Sequence, residues 1–200
     1  FDKGDMAACI DHFIAAIHSR YDIEKPQIKR LIRRKLNIFR TLREEADKCK
    51  EKLQQQERKM QAYAKEYYLM GNECAAEAHL PKAAIANYRK AIDMYPGFLD
   101  AHVRLAVTLL GEGMHHEALT HLNIAVSLSP ASFKAYYQRG KAYMAMQRYE
   151  EAVNDLDHAV RIKEDHPQSH KLIGDCYAHL GQEDKAAIYW SLAEELRKKK

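Results

Sequence analysis

Hydrophobic and polar positions alternate with a helical period over most of the chain. In "YYQRGKAYMAMQRYEEAVNDLDHAV", residues 136–160, the positions Tyr136, Gly140, Tyr143 and Tyr149, then Ala152, Leu156 and Ala159, share helical spacing. The spacing predicts two helices, over about 133–146 and 149–162, joined by a short turn. The unit recurs. Gly140 and Tyr143 return 34 residues later as Gly174 and Tyr177, and Pro96 returns as Pro130. Ala84, Ala118, Ala152 and Ala186 form one ladder at that interval, and Ala91, Ala125, Ala159 and Ala193 form a second. Tyr88, Leu122, Leu156 and Trp190 fill the large slot between the ladders. A single helix pair cannot bury its apolar face alone, so a period of this length predicts stacked pairs that complete one another's core. Small residues let the two backbones of a pair approach, and Gly113 and Gly181 fall in the turns.

The repeat resembles the tetratricopeptide repeat, with its small eighth residue, aromatic eleventh, alanines at the twentieth and twenty-seventh, and terminal proline. "KAYYQRGKAYMAMQRYEEAVNDLDHAVRI" follows that pattern nearly throughout. "AHVRLAVTLLGEGMHHEALTHLNIAVSLSP" has Ala106 for the glycine and Leu109 for the aromatic. "YYLMGNECAAEAHLPKAAIANYRKAIDMYP" keeps Gly71 and requires one extra residue in its turn, near His79–Lys82. "SHKLIGDCYAHLGQEDKAAIYWSLAEEL" is the last copy, and its lysine-rich end reads as a solvated terminus. The resemblance implies an all-α fold, a solenoid of stacked antiparallel helix pairs covering residues 64–198. The repeats are expected at about 64–98, 99–132, 133–166 and 167–200.

Ahead of the repeats the pattern changes. "GDMAACIDHFIAAI", residues 4–17, places Gly4, Cys9, Phe13 and Ala16 in the turn, small, large and small slots of a repeat's second helix. Residues 1–20 are therefore expected to be the tail of a repeat whose first helix lies upstream. Pro26 suits a helix start, and nothing breaks the helical pattern from there to Gly71. A long connecting helix over 26–70 follows; a continuous one of about 50 residues would reach roughly 75 Å. Its first part has a broad apolar face (Ile28, Leu31, Ile32, Leu36, Phe39, Leu42) suited to packing on residues 5–18. Its later part narrows to the three–four alternation of a coiled coil: Phe39, Leu42, Ala46, Cys49, Leu53, Gln56, Met60, Tyr63, Tyr67, Met70. In a parallel dimer Glu45 would face Lys50 and Lys52 would face Glu57. A solvated spacer and a self-association seam through Leu42, Cys49, Leu53 and Met60 are both open readings.

Composition narrows the function. The charged fraction of 30% and hydrophobic fraction of 46% suit a helical-repeat protein. No stretch approaches the roughly 18 apolar residues of a membrane span. Four scattered cysteines without a C-x-x-C pair suit a reducing compartment, cytoplasm or nucleus. A net charge of +4 is too mild to imply nucleic acid. The basic run of Lys25, Lys29, Arg30, Arg33, Arg34, Lys35 and Arg40 is interrupted at core spacing and followed by Glu44, Glu45 and Asp47. A solvated helix face is its preferred reading over a nucleic-acid surface. His115, His116 and His121 lack the spacing that places two imidazoles on one helical face. No phosphate loop, triad order or carboxylate pair stands out, so no enzyme, metal or cofactor is expected.

The resemblance implies a protein-interaction adaptor whose groove is lined by the first helices. Members that act as co-chaperones clamp the C-terminal carboxylate of heat-shock chaperones with lysine, asparagine, asparagine, lysine and arginine. Charged donors hold a terminal carboxylate through charge-assisted hydrogen bonds. With residues 64–163 as the three clamp repeats, Asn72 and Lys134 match, while Tyr68, Arg104 and Gln138 stand in the other slots. Two of five agree. With Lys141 and Lys171 the expected groove has a basic tone, opposed by Asp100 and Asp175. The expected partner is thus a protein, with an acidic chaperone tail one form of it. The other class of function is a structural assembly module that pairs, as a homodimer, through the long helix.

Overall fold

The structure, a computed structural model, describes residues 26–76 and 80–199. The described residues form helices α1 (Pro26–Ala76), α2 (Pro81–Met94), α3 (Leu99–Gly111) and α4 (His115–Leu128). The chain continues through α5 (Phe133–Ala145), α6 (Tyr149–Ile162), α7 (Pro167–His179) and α8 (Glu183–Lys198). The expected repeat tail at residues 1–20 and its packing against α1 lie outside the described residues, as does His79, the first residue of the stretch where an extra turn residue is expected. The chain divides into two compact units, with the boundary between Glu57 and Arg58.

In the first unit, α1 exposes Arg30, Arg33, Arg34, Lys35 and Arg40. Arg40 lies 3.9 Å from Glu44 one turn on. Past Arg58, α1 runs through Gly71 to Ala76, and this end of it is the first helix of the first repeat. Gly71 does not stop the helix; it makes room. A Cβ there would sit 2.5 Å from Tyr88 Cε1.

The second unit is a stack of antiparallel pairs, α3 with α4, α5 with α6 and α7 with α8, each pair packing on the next. Both alanine ladders are the contact line within pairs. Ala84, Ala118, Ala152, Ala186, Ala91, Ala125 and Ala159 are fully buried and Ala193 nearly so. Tyr88, Leu122 and Leu156 fill the slot between the ladders. Burying each of these side chains contributes roughly 1.5–3 kcal/mol. Trp190 fills the same slot against Gly174 but stays 37% exposed, its indole Nε1 donating to Asp175 Oδ1 at 2.9 Å.

The turn inside three pairs is a Schellman motif. The N–H groups of Met114, Arg148 and Gln182 each donate at 2.9 Å to the carbonyl five residues back (Leu109, Tyr143 and Tyr177). This needs a left-handed residue just before, which Gly113 (φ 75°) and Gly181 (φ 73°) supply. The third repeat puts Gln147 there at φ 58°. Helix starts are fixed by Pro81 and Pro167 and by Ser132, whose hydroxyl accepts from the Ala135 N–H at 3.3 Å.

Candidate peptide-binding site

The expected groove residues lie on first helices: Tyr68 and Asn72 at the end of α1, Arg104 on α3, Lys134, Gln138 and Lys141 on α5, and Lys171 on α7. Arg104, Lys134, Lys141 and Lys171 are exposed. Lys134 and Asp100 occupy equivalent positions of successive repeats, and Lys134 Nζ lies 3.5 Å from Asp100 Oδ1. That contact puts α3 and α5 side by side on one solvated face. On α7, Lys171 Nζ lies 3.4 Å from Asp175 Oδ2. Both pairs are exposed, so each contributes little and yields readily to a competing anion.

Asn72 is half-buried, and its Oδ1 accepts from the Tyr88 hydroxyl at 2.8 Å. Burial pushes the Tyr88 phenol above its usual range, which keeps it a neutral donor. The Asn72 amide oxygen is thereby engaged, and its NH₂ group remains a donor, the polarity a carboxylate requires. Tyr68 takes the slot of a clamp lysine but is a packing residue. Its ring lies 5.0 Å from that of Phe98 and 5.9 Å from that of Tyr88. Gln138 has its Oε1 buried without a partner, an acceptor that calls for a donor. Lys141 Nζ sits over the Tyr137 ring at 5.9 Å.

His116 stays on the surface at the start of α4, as its spacing suggests, whereas His121 turns inward against His102. His121 Nδ1 meets His102 Nδ1 at 3.1 Å, and His102 Nε2 lies 3.0 Å from the Pro96 carbonyl, to which it must donate. A neutral His102 then offers Nδ1 as acceptor, so His121 donates from Nδ1. Burial holds both imidazoles below the ordinary histidine range. His170 repeats the capping contact, with Nε2 at 2.9 Å from the Glu164 carbonyl. Among the described residues no group of three or more His, Cys, Asp or Glu side chains could hold a metal.

A second polar feature is one that the motifs do not reveal. Arg139 grips Asp155 with two hydrogen bonds, 2.6 and 2.7 Å, and reaches Asn123 Oδ1 at 3.0 Å. A signal for it does exist in the repeat columns: Arg139 stands in the column of Met70, Leu105 and Ile173, and Asp155 in that of Asn87, His121 and Tyr189. A cation in an apolar column, sixteen residues before an anion in the same repeat, marks a paired charge inside a helix pair.

These helix pairs define an all-α repeat solenoid. Two tetratricopeptide-repeat family models match, one over residues 75–133 and one over 133–166. The chain is a tetratricopeptide-repeat protein, and its repeats are a protein-interaction scaffold. It is 33% identical over 75 residues to the Hsp70-Hsp90 organizing protein of Triticum aestivum, matching 38% of this chain and 13% of that protein. Its fold resembles that of MamA (TM-score 0.65, 23% identity, 68% of this chain and 79% of that one). It also resembles the first repeat domain of Spaghetti (RPAP3) bound to the HSP90 peptide SRMEEVD (TM-score 0.59, 23% identity, 60% and 95%). The chain spans less than a quarter of the length of the curated relatives it matches first. Among the described residues no helix is long and apolar enough to cross a membrane.

Proposed function

We propose that the repeats bind an extended acidic peptide, with a free C-terminal carboxylate, on the face formed by Asn72, Arg104, Lys134, Gln138, Lys141 and Lys171, as a chaperone-linked adaptor would. The observation that carries this reading is the donor set: the Asn72 amide with its oxygen already engaged, and the exposed cations of α3, α5 and α7. Charge-assisted bonds from such donors favour carboxylates over neutral ligands. Similarity to an Hsp70-Hsp90 organizing protein supports a chaperone tail as the peptide.

The test uses SRMEEVD as the probe, with a free and with an amidated C-terminus. Free peptide is expected to bind more tightly, and Arg104→Glu with Lys134→Glu to weaken it roughly tenfold or more. The difference should shrink as salt screens the exposed charges. Equal binding of acid and amide, or no measurable binding by the wild type, refutes the carboxylate reading.

A further inference from the structure

The face of α1 that carries the three–four alternation is bare. Phe39 is 61% exposed, Leu42 55%, Leu53 58% and Tyr63 52%. Ala46, Cys49, Gln56 and Met60 complete the same stripe and are exposed as well. The stripe is shorter than the sequence pattern suggests. Tyr67, its next member by spacing, is half-buried against the cluster of Ala64, Ala91 and Ala101, with Lys90 over its ring. The repeat core claims Tyr67, and the free seam ends at Tyr63.

We propose that two copies of this chain pair in parallel along α1 between Phe39 and Tyr63, with Cys49 of one helix against Cys49 of the other. The seam of about 25 residues holds roughly three and a half heptads, enough for a coiled coil. In the first layer position lie Phe39, Ala46, Leu53 and Met60; in the second, Leu42, Cys49, Gln56 and Tyr63. The flanking charges choose the orientation. In a parallel pair Glu45 meets Lys50 of the second copy and Lys52 meets Glu57, each twice by symmetry, and no like charges meet. In the antiparallel pair that keeps the same layers aligned, Glu45 meets Lys59 and Arg43 meets Glu57, but Lys50 meets its own copy and so does Lys52. Two lysine–lysine contacts at the centre of that arrangement oppose it. Ala46 and Gln56 make a thin seam, so the dimer is reversible and of moderate affinity.

Sedimentation equilibrium of the intact chain at high micromolar concentration should give twice the 23.1 kDa monomer mass. Lys50→Glu sets Glu against Glu45 and should raise the dissociation constant about tenfold, by loss of attraction and gain of repulsion at two symmetric sites. Adding Glu45→Lys restores the pair in the parallel register alone, since in the antiparallel one it sets Lys against Lys59. Diamide should then link the wild type into a reductant-reversible dimer, two thiols giving up two protons and two electrons to the diamide. Cys49→Ser should abolish the link. A monomeric wild type, failure of the double variant to recover, or an equal cross-link in Cys49→Ser overturns the proposal. A monomer would assign the stripe to a different chain or to solvent.

Discussion

Gly140→Ala isolates the close approach on which each helix pair depends. An added Cβ would lie 2.8 Å from Leu156 Cγ, 3.1 Å from Leu156 Cδ2 and 3.4 Å from the Ala152 carbonyl oxygen. Leu156 is fully buried and the carbonyl is backbone, so the contact is relieved only if α5 and α6 separate. Overpacking of this kind costs roughly 1–3 kcal/mol. Against it stands the gain of removing a helix-interior glycine, about 1 kcal/mol. The second repeat already holds Ala106 over Leu122, so a small separation is tolerated by this architecture. The expected net is a loss of about 1 kcal/mol, or roughly 2–4 °C in melting temperature for a chain of this size. Gly111→Ala is the control. It sits at the end of α3 with no heavy atom within 4 Å of the added Cβ, so only the propensity gain remains and stability should rise. Urea unfolding followed by circular dichroism reads both variants. If Gly140→Ala stabilises as much as Gly111→Ala, the close packing of α5 on α6 is wrong.

Two further stability measurements address other parts of the repeats. Gln147→Gly places the residue of the sister turns at the left-handed position and should raise stability by about 1 kcal/mol in the same urea assay. For His102 and His121, burial lowers both folded-state pKa values, so the unfolded chain takes up protons first. Their contribution is therefore complete above the ordinary histidine value of about 6.5 and is lost as pH falls below it. Melting curves taken from neutral pH down to about 5 should show that fall. His121→Tyr, which copies the fourth repeat's Tyr189, should reduce it by removing one of the facing imidazoles.

The chain's own sequence determined the repeat. The interval of 34 residues, the two alanine ladders and the large slot between them define which residues touch, because a helix pair repeated at fixed spacing presents the same face each time. Gly113 and Gly181 marked their turns for the same reason. Tertiary structure decided what single columns do when they depart from the repeat. Arg139 and Asp155 compensate each other across a helix pair, and His102 meets His121 where neighbouring repeats have other partners. Tyr67 fits the heptad and the repeat equally well by spacing; it goes to the repeat because Ala64, Ala91 and Ala101 form a buried surface beside it. Asn72 likewise matched a clamp position by register, but only the folded chain brings the Tyr88 hydroxyl onto its amide oxygen. Spacing decides which face a side chain occupies. What it meets there depends on residues far along the chain, brought close by the stacking of the pairs.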